Sequence, residues 1–169
     1  MSFGDINMDY KIELAKIKDL DAIHKLIYDR CLWFSEKGLK GWNIEFYPKL
    51  YNQDYFKEQM KINKLFVLRT NDKICGVMLI KKEDKDYWKD NKSSYYIHHL
   101  ATDINLKGIG KILINYAIEQ CKRNNKEYLR LDCDKTSKFL NKYYKEIGFS
   151  NVGSGIFWDY NYNLWEMKI

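Results

Sequence analysis

Between Ile97 and Phe149 the chain carries residues whose types and spacing suit two jobs, holding a phosphate-bearing cofactor and moving a proton. The segment IHHLAT reads as a strand, and NLKGIGK turns from it into the amphipathic helix ILINYAIEQCKRN. A second strand, EYLRLDCD, and a last helix ending in YYKEIGF follow. The first amides of a helix have no partner inside it, and its dipole favours negative charge, so a glycine-rich helix start suits a phosphate. Glycine at 108 and 110 keeps Cβ atoms from holding the backbone away from such a group. One helix later, Tyr144 offers a phenol of ordinary pKa about 10 as a proton donor. Its neighbour Tyr143 points about 100° around the helix and reads as a packing residue.

The elements that must position these residues follow from hydrophobic period and turn chemistry. Tyr10–Ile17 alternates as a half-buried strand, and Asp19 is placed to cap a helix with Leu20, Ile23, Leu26 and Ile27 on one face, stopping at Gly38. Gly38–Asn52 is aromatic-rich and irregular, and a short helix is expected over Asp54–Ile62. Lys64–Thr70 and Lys73–Lys81 form a hairpin about Asn71-Asp72. Lys82–Lys92 reads as a charged, exposed loop, and Ser94–Thr102 as the next strand. Gly108–Asn124 is a helix, Tyr128–Cys133 a strand, and Thr136–Ile147 a helix stopped by Gly148. Two final strands, Ser150–Tyr160 and Leu164–Ile169, are expected on either side of Asn161–Asn163. Residues 1–8 read as a flexible tail and 9–169 as a single domain, since no linker or repeat interrupts them. The order β-α-α-β-β-β-α-β-α-β-β suits an α/β (α+β) fold, a mixed sheet with helices on both faces.

Composition narrows the function classes. With 46% apolar and 31% charged residues in 169, the chain is expected to fold around a sizeable core. Its +6 charge comes mostly from lysines interleaved with acids, unlike the clustered arginines of nucleic-acid readers, so no nucleic acid is expected as a partner. A mild positive field would instead help to capture an anionic cofactor. No apolar run is long enough to span a bilayer and no signal peptide precedes the first strand, so no membrane partner and a cytoplasmic address are expected. Four scattered cysteines without CxxC spacing read as reduced, buried thiols, and no metal site is expected.

The element order, the NLKGIG turn and the YYKEIGF ending together resemble the GNAT superfamily of acyl-CoA N-acyltransferases, over nearly the whole chain. The resemblance implies a mostly antiparallel central sheet flanked by helices and acetyl-CoA as co-substrate. Leu100, Ala101 and Thr102 match the strand whose main chain pairs with the pantetheine arm. Asn105, Lys107, Gly108, Ile109, Gly110 and Lys111 match the pyrophosphate loop. Tyr144 matches the tyrosine that protonates the departing thiolate, and Asn141, one turn earlier, is placed to position the cofactor. Asn105 stands where the family usually has Arg or Gln, and Ser137 where many members have Asn. The implied reaction is direct attack by a primary amine, small-molecule or peptide, in a ternary complex. A non-catalytic acyl-CoA-binding module is the alternative.

Acetyl transfer needs a neutral amine, donors for an oxyanion and a proton for the thiolate. His98 is the candidate base, expected to share a strand face with Leu100, with His99 on the opposite face. Trp33 and Trp42 are candidates to line the acceptor pocket. Asp132 and Asp134 leave their strand near the cofactor side, where one could hold an acceptor ammonium, though a solvated or capping carboxylate is the plainer reading. Cys133 has no adjacent base to make it an acyl carrier. The aromatic C-terminal strands are candidates for pairing in a homodimer.

Overall fold

The computed structural model describes residues 9–169, so the expected tail at 1–8 lies outside the described residues. Strand β1 is Lys11–Leu14, helix α1 Leu20–Glu36, the single turn α2 Tyr47–Leu50 and helix α3 Gln53–Ile62. Strands β2 (Lys64–Thr70), β3 (Lys73–Lys81) and β4 (Ser94–Thr102) follow, then α4 (Ile109–Arg123), β5 (Tyr128–Asp134) and α5 (Lys138–Glu146). Strands β6 (Ser150–Phe157) and β7 (Tyr160–Lys168) close the order. The seven strands lie in the order β1-β2-β3-β4-β5-β7-β6. Every neighbouring pair is antiparallel except β4 and β5. This is the mixed, mostly antiparallel sheet that the sequence implied.

Asn71 and Asp72 both take positive φ (48° and 64°), the geometry of a two-residue type I′ hairpin turn. Leu65, Val67, Val77 and Leu79 bury against α1 and α3 on one face, with Ile23, Ile27 and Phe56. Phe66, Leu68, Met78 and Ile80 alternate with them and meet Leu113, Ile114 and Ala117 of α4 on the other. Gly76 sets how closely α4 approaches, because a Cβ there would stand 2.8 Å from Leu113 Cδ1 and 3.0 Å from Ile109 Cγ2.

Three local expectations need correction. Asp19 sits before α1 but its side chain caps nothing in that helix. It accepts from the Lys16 amide (2.8 Å) and pairs with Arg69 (2.7 Å), closing a 3-10 turn over Ile17–Asp19 instead. Second, the Lys82–Lys92 loop is not wholly exposed, since Asp84 and Trp88 are each 4% exposed. Third, the last hairpin turns at Trp158-Asp159, with Phe157 opposite Tyr160, so Asn161 and Asn163 lie within β7. Pairing of β7 with β5 from Tyr162 onward, with Tyr162 and Trp165 buried, outweighs the turn preference of asparagine.

Arg130 on β5 has no exposed side-chain surface. It forks onto Asp90 (2.7 and 2.8 Å) and bonds Glu166 (2.7 Å), while Trp88 stacks 4.3 Å from its guanidinium. Removing one partner of such a group strands the others. Arg130→Ala is therefore expected to lower unfolding free energy by about 3 kcal/mol, measured by urea denaturation at unchanged m-value.

Candidate active site

Strands β4 and β5 pair only over Ser94–Tyr96 and Tyr128–Arg130. Beyond that point they part. A bulge in β4 accompanies the parting: Ala101 pairs with Val77 and His98 with Leu79, leaving His99 and Leu100 opposite the single residue Met78. His99 carries the bulge at φ 50°, a left-handed conformation uncommon outside glycine, asparagine and histidine. Its ring is clamped on both nitrogens, Nδ1 to the Tyr47 hydroxyl (2.6 Å) and Nε2 to the Tyr55 hydroxyl (2.9 Å). A neutral imidazole has one donor and one acceptor, so one phenol donates and the other accepts. Burial holds this imidazole well below its ordinary pKa, with the charges of His98 and Lys81 adding to the effect.

The bulge breaks strand parity and corrects two expectations. Leu100 packs with the α4 cluster and Ala101 with the α1 cluster. His98 does not share the face of Leu100, because the extra residue lies between them. Nor do the two histidines face oppositely: His99 sits among Tyr47, Tyr55 and Phe56, while His98 joins Asp132, whose strand neighbours Leu131 and Cys133 face α4.

At the fork, His98 Nε2 lies 2.7 Å from Asp84 Oδ2. The other Asp84 oxygen is buried without a hydrogen-bond partner, and Lys81 Nζ stands 3.8 Å from it. Asp132 accepts from the Tyr160 hydroxyl at 3.0 Å. One donor atom from each of Asp84, His98 and Asp132 lies within 4.8 Å of the others, a gathering the sequence reading did not foresee. Burial pushes the Asp132 carboxyl above the usual carboxylate range; His98 and the Tyr160 hydrogen bond oppose the shift and Asp84 adds to it. The Tyr87 ring stands 6.3 Å from His98, 4.9 Å from Tyr162 and 5.7 Å from Phe157, so β6 and β7 wall this side of the fork with aromatic rings.

On the α4 side of the fork lies the glycine turn. Gly108 precedes α4 with φ 85°, no side chain caps the helix, and no acidic residue occupies its first turn. Lys107 and Lys111 are exposed, and neither forms an ion pair among the described residues. The turn is shaped by Asp103, which accepts from the Asn105 amide (2.9 Å) and pairs with Lys73 (3.0 Å). A Cβ on Gly110 would stand 3.1 Å from the Tyr143 hydroxyl oxygen. The residue read as packing thus borders the turn. Backbone amides, lysines and bare glycines fit a diphosphate.

Tyr144 is buried in the α4-side core, its ring edge-on to Phe149 at 5.9 Å. Burial, then the neighbouring Cys133, Tyr143 and Asp132, raise its phenol well above the ordinary range, which keeps the proton on oxygen. Asn141, expected to help position the cofactor, is a clamp within the protein. Its amide donates to the carbonyls of Ser137 (2.7 Å) and Asp134 (2.9 Å) and accepts from Asn163 (2.8 Å) and Trp165 (3.2 Å). Ser137 caps α5 by accepting from the Leu140 amide (3.3 Å). Asp134 is a capping carboxylate, bound by Thr136 N (2.7 Å) and Oγ1 (2.8 Å). Burial pushes the Cys133 thiol up to about 12, removing it as a nucleophile.

Arg30 of α1 donates to the Thr102 carbonyl (2.8 Å) and hydroxyl (3.0 Å), engaging Thr102 within the chain. The two tryptophans go separate ways. Trp33 lies under Arg30 and 6.5 Å from Phe139 of α5, which stacks on Tyr143. Trp42 stacks on Tyr47 at 4.5 Å, and through Tyr51 and Tyr55 this aromatic row reaches His99. Arg130, Asp84 and Tyr55 carried no local signal in the sequence, because each acts through a partner far along the chain.

A sequence model described as the acetyltransferase (GNAT) family matches residues 27–149. The chain is 24% identical over 165 residues, covering 92% of it and 88% of the relative, to the uncharacterized N-acetyltransferase YesJ of Bacillus subtilis (strain 168). Among solved structures, a GNAT-family acetyltransferase from Listeria monocytogenes 4b F2365 superposes with TM-score 0.81 at 21% identity, over 97% of each chain. The PaiA N-acetyltransferase of Thermoplasma acidophilum, solved with coenzyme A, gives TM-score 0.79 at 15% identity, over 96% of this chain and all (100%) of its own. These superpositions establish the fold. No helix among the described residues is long and apolar enough to cross a membrane.

Because the folded-state pKa of His99 lies below its unfolded value of about 6.5, its contribution to stability is complete above that pH and declines as pH falls below it. The decline approaches about 1.4 kcal/mol per pH unit for one proton. His99→Asn, which tolerates the left-handed φ, is expected to remove up to that slope from the acid limb of a urea-stability profile measured between about pH 6.5 and 5.

Proposed function

The chain belongs to the acetyltransferase (GNAT) family, and on that premise we propose that it transfers an acetyl group from acetyl-CoA to a primary amine by direct attack. The observation that carries this reading is the juxtaposition of an uncapped, glycine-started helix with the fork of β4 and β5. Acetyl-CoA supplies the activated acetyl thioester. The first-turn amides of α4, with Lys107 and Lys111 beside them, hold its diphosphate. The β4 main chain at Leu100 and Ala101 holds its arm. The bulge leaves one residue of β4 without a counterpart on β3, and the Leu100 amide is the oxyanion donor.

His98 removes the proton of the amine. Asp84 is its positioning residue: with Nε2–H donated to Asp84, Nδ1 is left as the basic nitrogen. Tyr144 gives a proton to the departing sulfur, a role that rests on its match to the family's tyrosine in YYKEIGF. Tyr143, half-buried beside Gly110, is the second candidate for that proton because its hydroxyl borders the turn. Trp33, beside Phe139 of α5, and Trp42, stacked on Tyr47, are the candidates to contact the acceptor.

Thiol release from acetyl-CoA over a panel of amines tests the reaction. Tyr144→Phe is expected to lower kcat by about 100-fold while the CoA dissociation constant, from calorimetry, is unchanged. A loss that follows Tyr143→Phe instead moves the acid to that residue. Gly108→Val, forcing a β-branched residue to positive φ, is expected to weaken CoA binding by about tenfold or more in the same calorimetric assay. Tight CoA binding with no amine acetylated would leave a cofactor-binding module without transferase activity.

A further inference from the structure

Resting on the transferase reading above, we infer that the fork selects acceptors carrying a second positive charge, and that Asp132 is the residue that holds it. The acceptor class is the linear aliphatic diamine: one nitrogen attacks near His98 while the distal ammonium is seated against the Asp132 carboxylate. The chain as a whole carries +6, yet Asp84 and Asp132 converge within 4.8 Å of one histidine. Only Lys81 offers them a nearby cation among the described residues, and at 3.8 Å it does not hydrogen-bond the free Asp84 oxygen. That oxygen is buried without a donor, so the pair of acids is under-neutralised as the protein stands. An incoming ammonium supplies the missing charge.

The surroundings say what kind of cation fits. Tyr160 bonds Asp132, and Tyr87 packs over His98, Tyr162 and Phe157. Tyrosine faces attract an alkylammonium and cover its methylene chain, whereas a small hydrated metal ion gains nothing from them. His98 Nε2 is moreover committed to Asp84, so a metal would have to displace that hydrogen bond. His98 and Asp132 bring donor atoms within 4.8 Å of each other, so a short flexible methylene chain keeps one amine beside His98 while the other stays at the acids.

The test compares diaminobutane with butylamine, which has the same chain and one charge fewer, at saturating acetyl-CoA and in the presence of EDTA. The diamine is expected to lead in kcat/KM by about 10- to 100-fold, the value of one hydrogen-bonded ion in such a site. In Asp132→Asn the ratio is expected to fall to near unity, with the CoA dissociation constant retained as the check on folding. Equal turnover of the two amines by the wild-type protein, or a preference that survives in Asp132→Asn, overturns the inference. So does a preference that appears only when a divalent metal is present and vanishes with EDTA. If neither amine is acetylated, the transferase reading fails separately. Calorimetry of the two amines on the CoA-loaded wild-type protein then decides the charge selection alone: a diamine bound about tenfold or more tightly supports it, and equal binding overturns it.

Discussion

The geometry of the candidate site depends on two parallel strands that stop pairing. β4 and β5 hold together for three residues each, Ser94–Tyr96 and Tyr128–Arg130, and then separate inside a continuous sheet. Backbone groups in a sheet interior normally find partners across the ladder, so a parting there has to be stabilised from outside it. At one end Arg130 pins the junction through Asp90, Glu166 and Trp88. Further along, the His99 bulge is held by two phenols that reach in from α2 and α3. Core packing on both faces continues through the parting, with Leu131 and Cys133 on one side and Ala101 on the other.

The fork divides space electrostatically. On the α4 side stand uncapped amides and unpaired lysines, a setting for anions. Opposite them Asp84, His98 and Asp132 form a setting for cations, lined by tyrosine rings. An acyl donor with a diphosphate and an acceptor with an ammonium would each be drawn to its own side. In the proposed reaction their reactive ends would meet where the strands have opened. Burial raises both Asp132 and Tyr144, each in its own surroundings on opposite sides of the sheet.

Much of this was legible in the chain because it is local. The Asn71-Asp72 turn, the amphipathic period of α4 and the glycines before it need only near neighbours to specify them. The overall sheet followed from the order of elements together with the family likeness. What the sequence did not disclose is non-local. The relation of His98 to Leu100 depends on the bulge at His99, whose ring is held by residues 44 and 52 positions away, Tyr55 and Tyr47. Asp19 looked like a cap because capping is a local pattern, yet Arg69 and the Lys16 amide claim its carboxylate. Asp84 lay in a segment whose charge suggested solvent, and only the fold brings it beneath His98. Asn141 is a residue of the right type near the expected site whose hydrogen-bonding capacity the packing consumes.

Gly76 sits on β3, far from the fork in sequence, and bears no functional group. Its bare backbone admits Leu113 and Ile109 of α4 to distances no side chain would allow. The height of α4 above the sheet is therefore fixed by one missing methyl group, and with it the level at which the helix presents its opening amides. A bulkier residue there would act as a shim, pressing on Ile109 and Leu113 and lifting the start of α4 away from the sheet. The spacing of helix and sheet is thus partly a matter of thickness, set in the middle of the sheet by an atom that is not there.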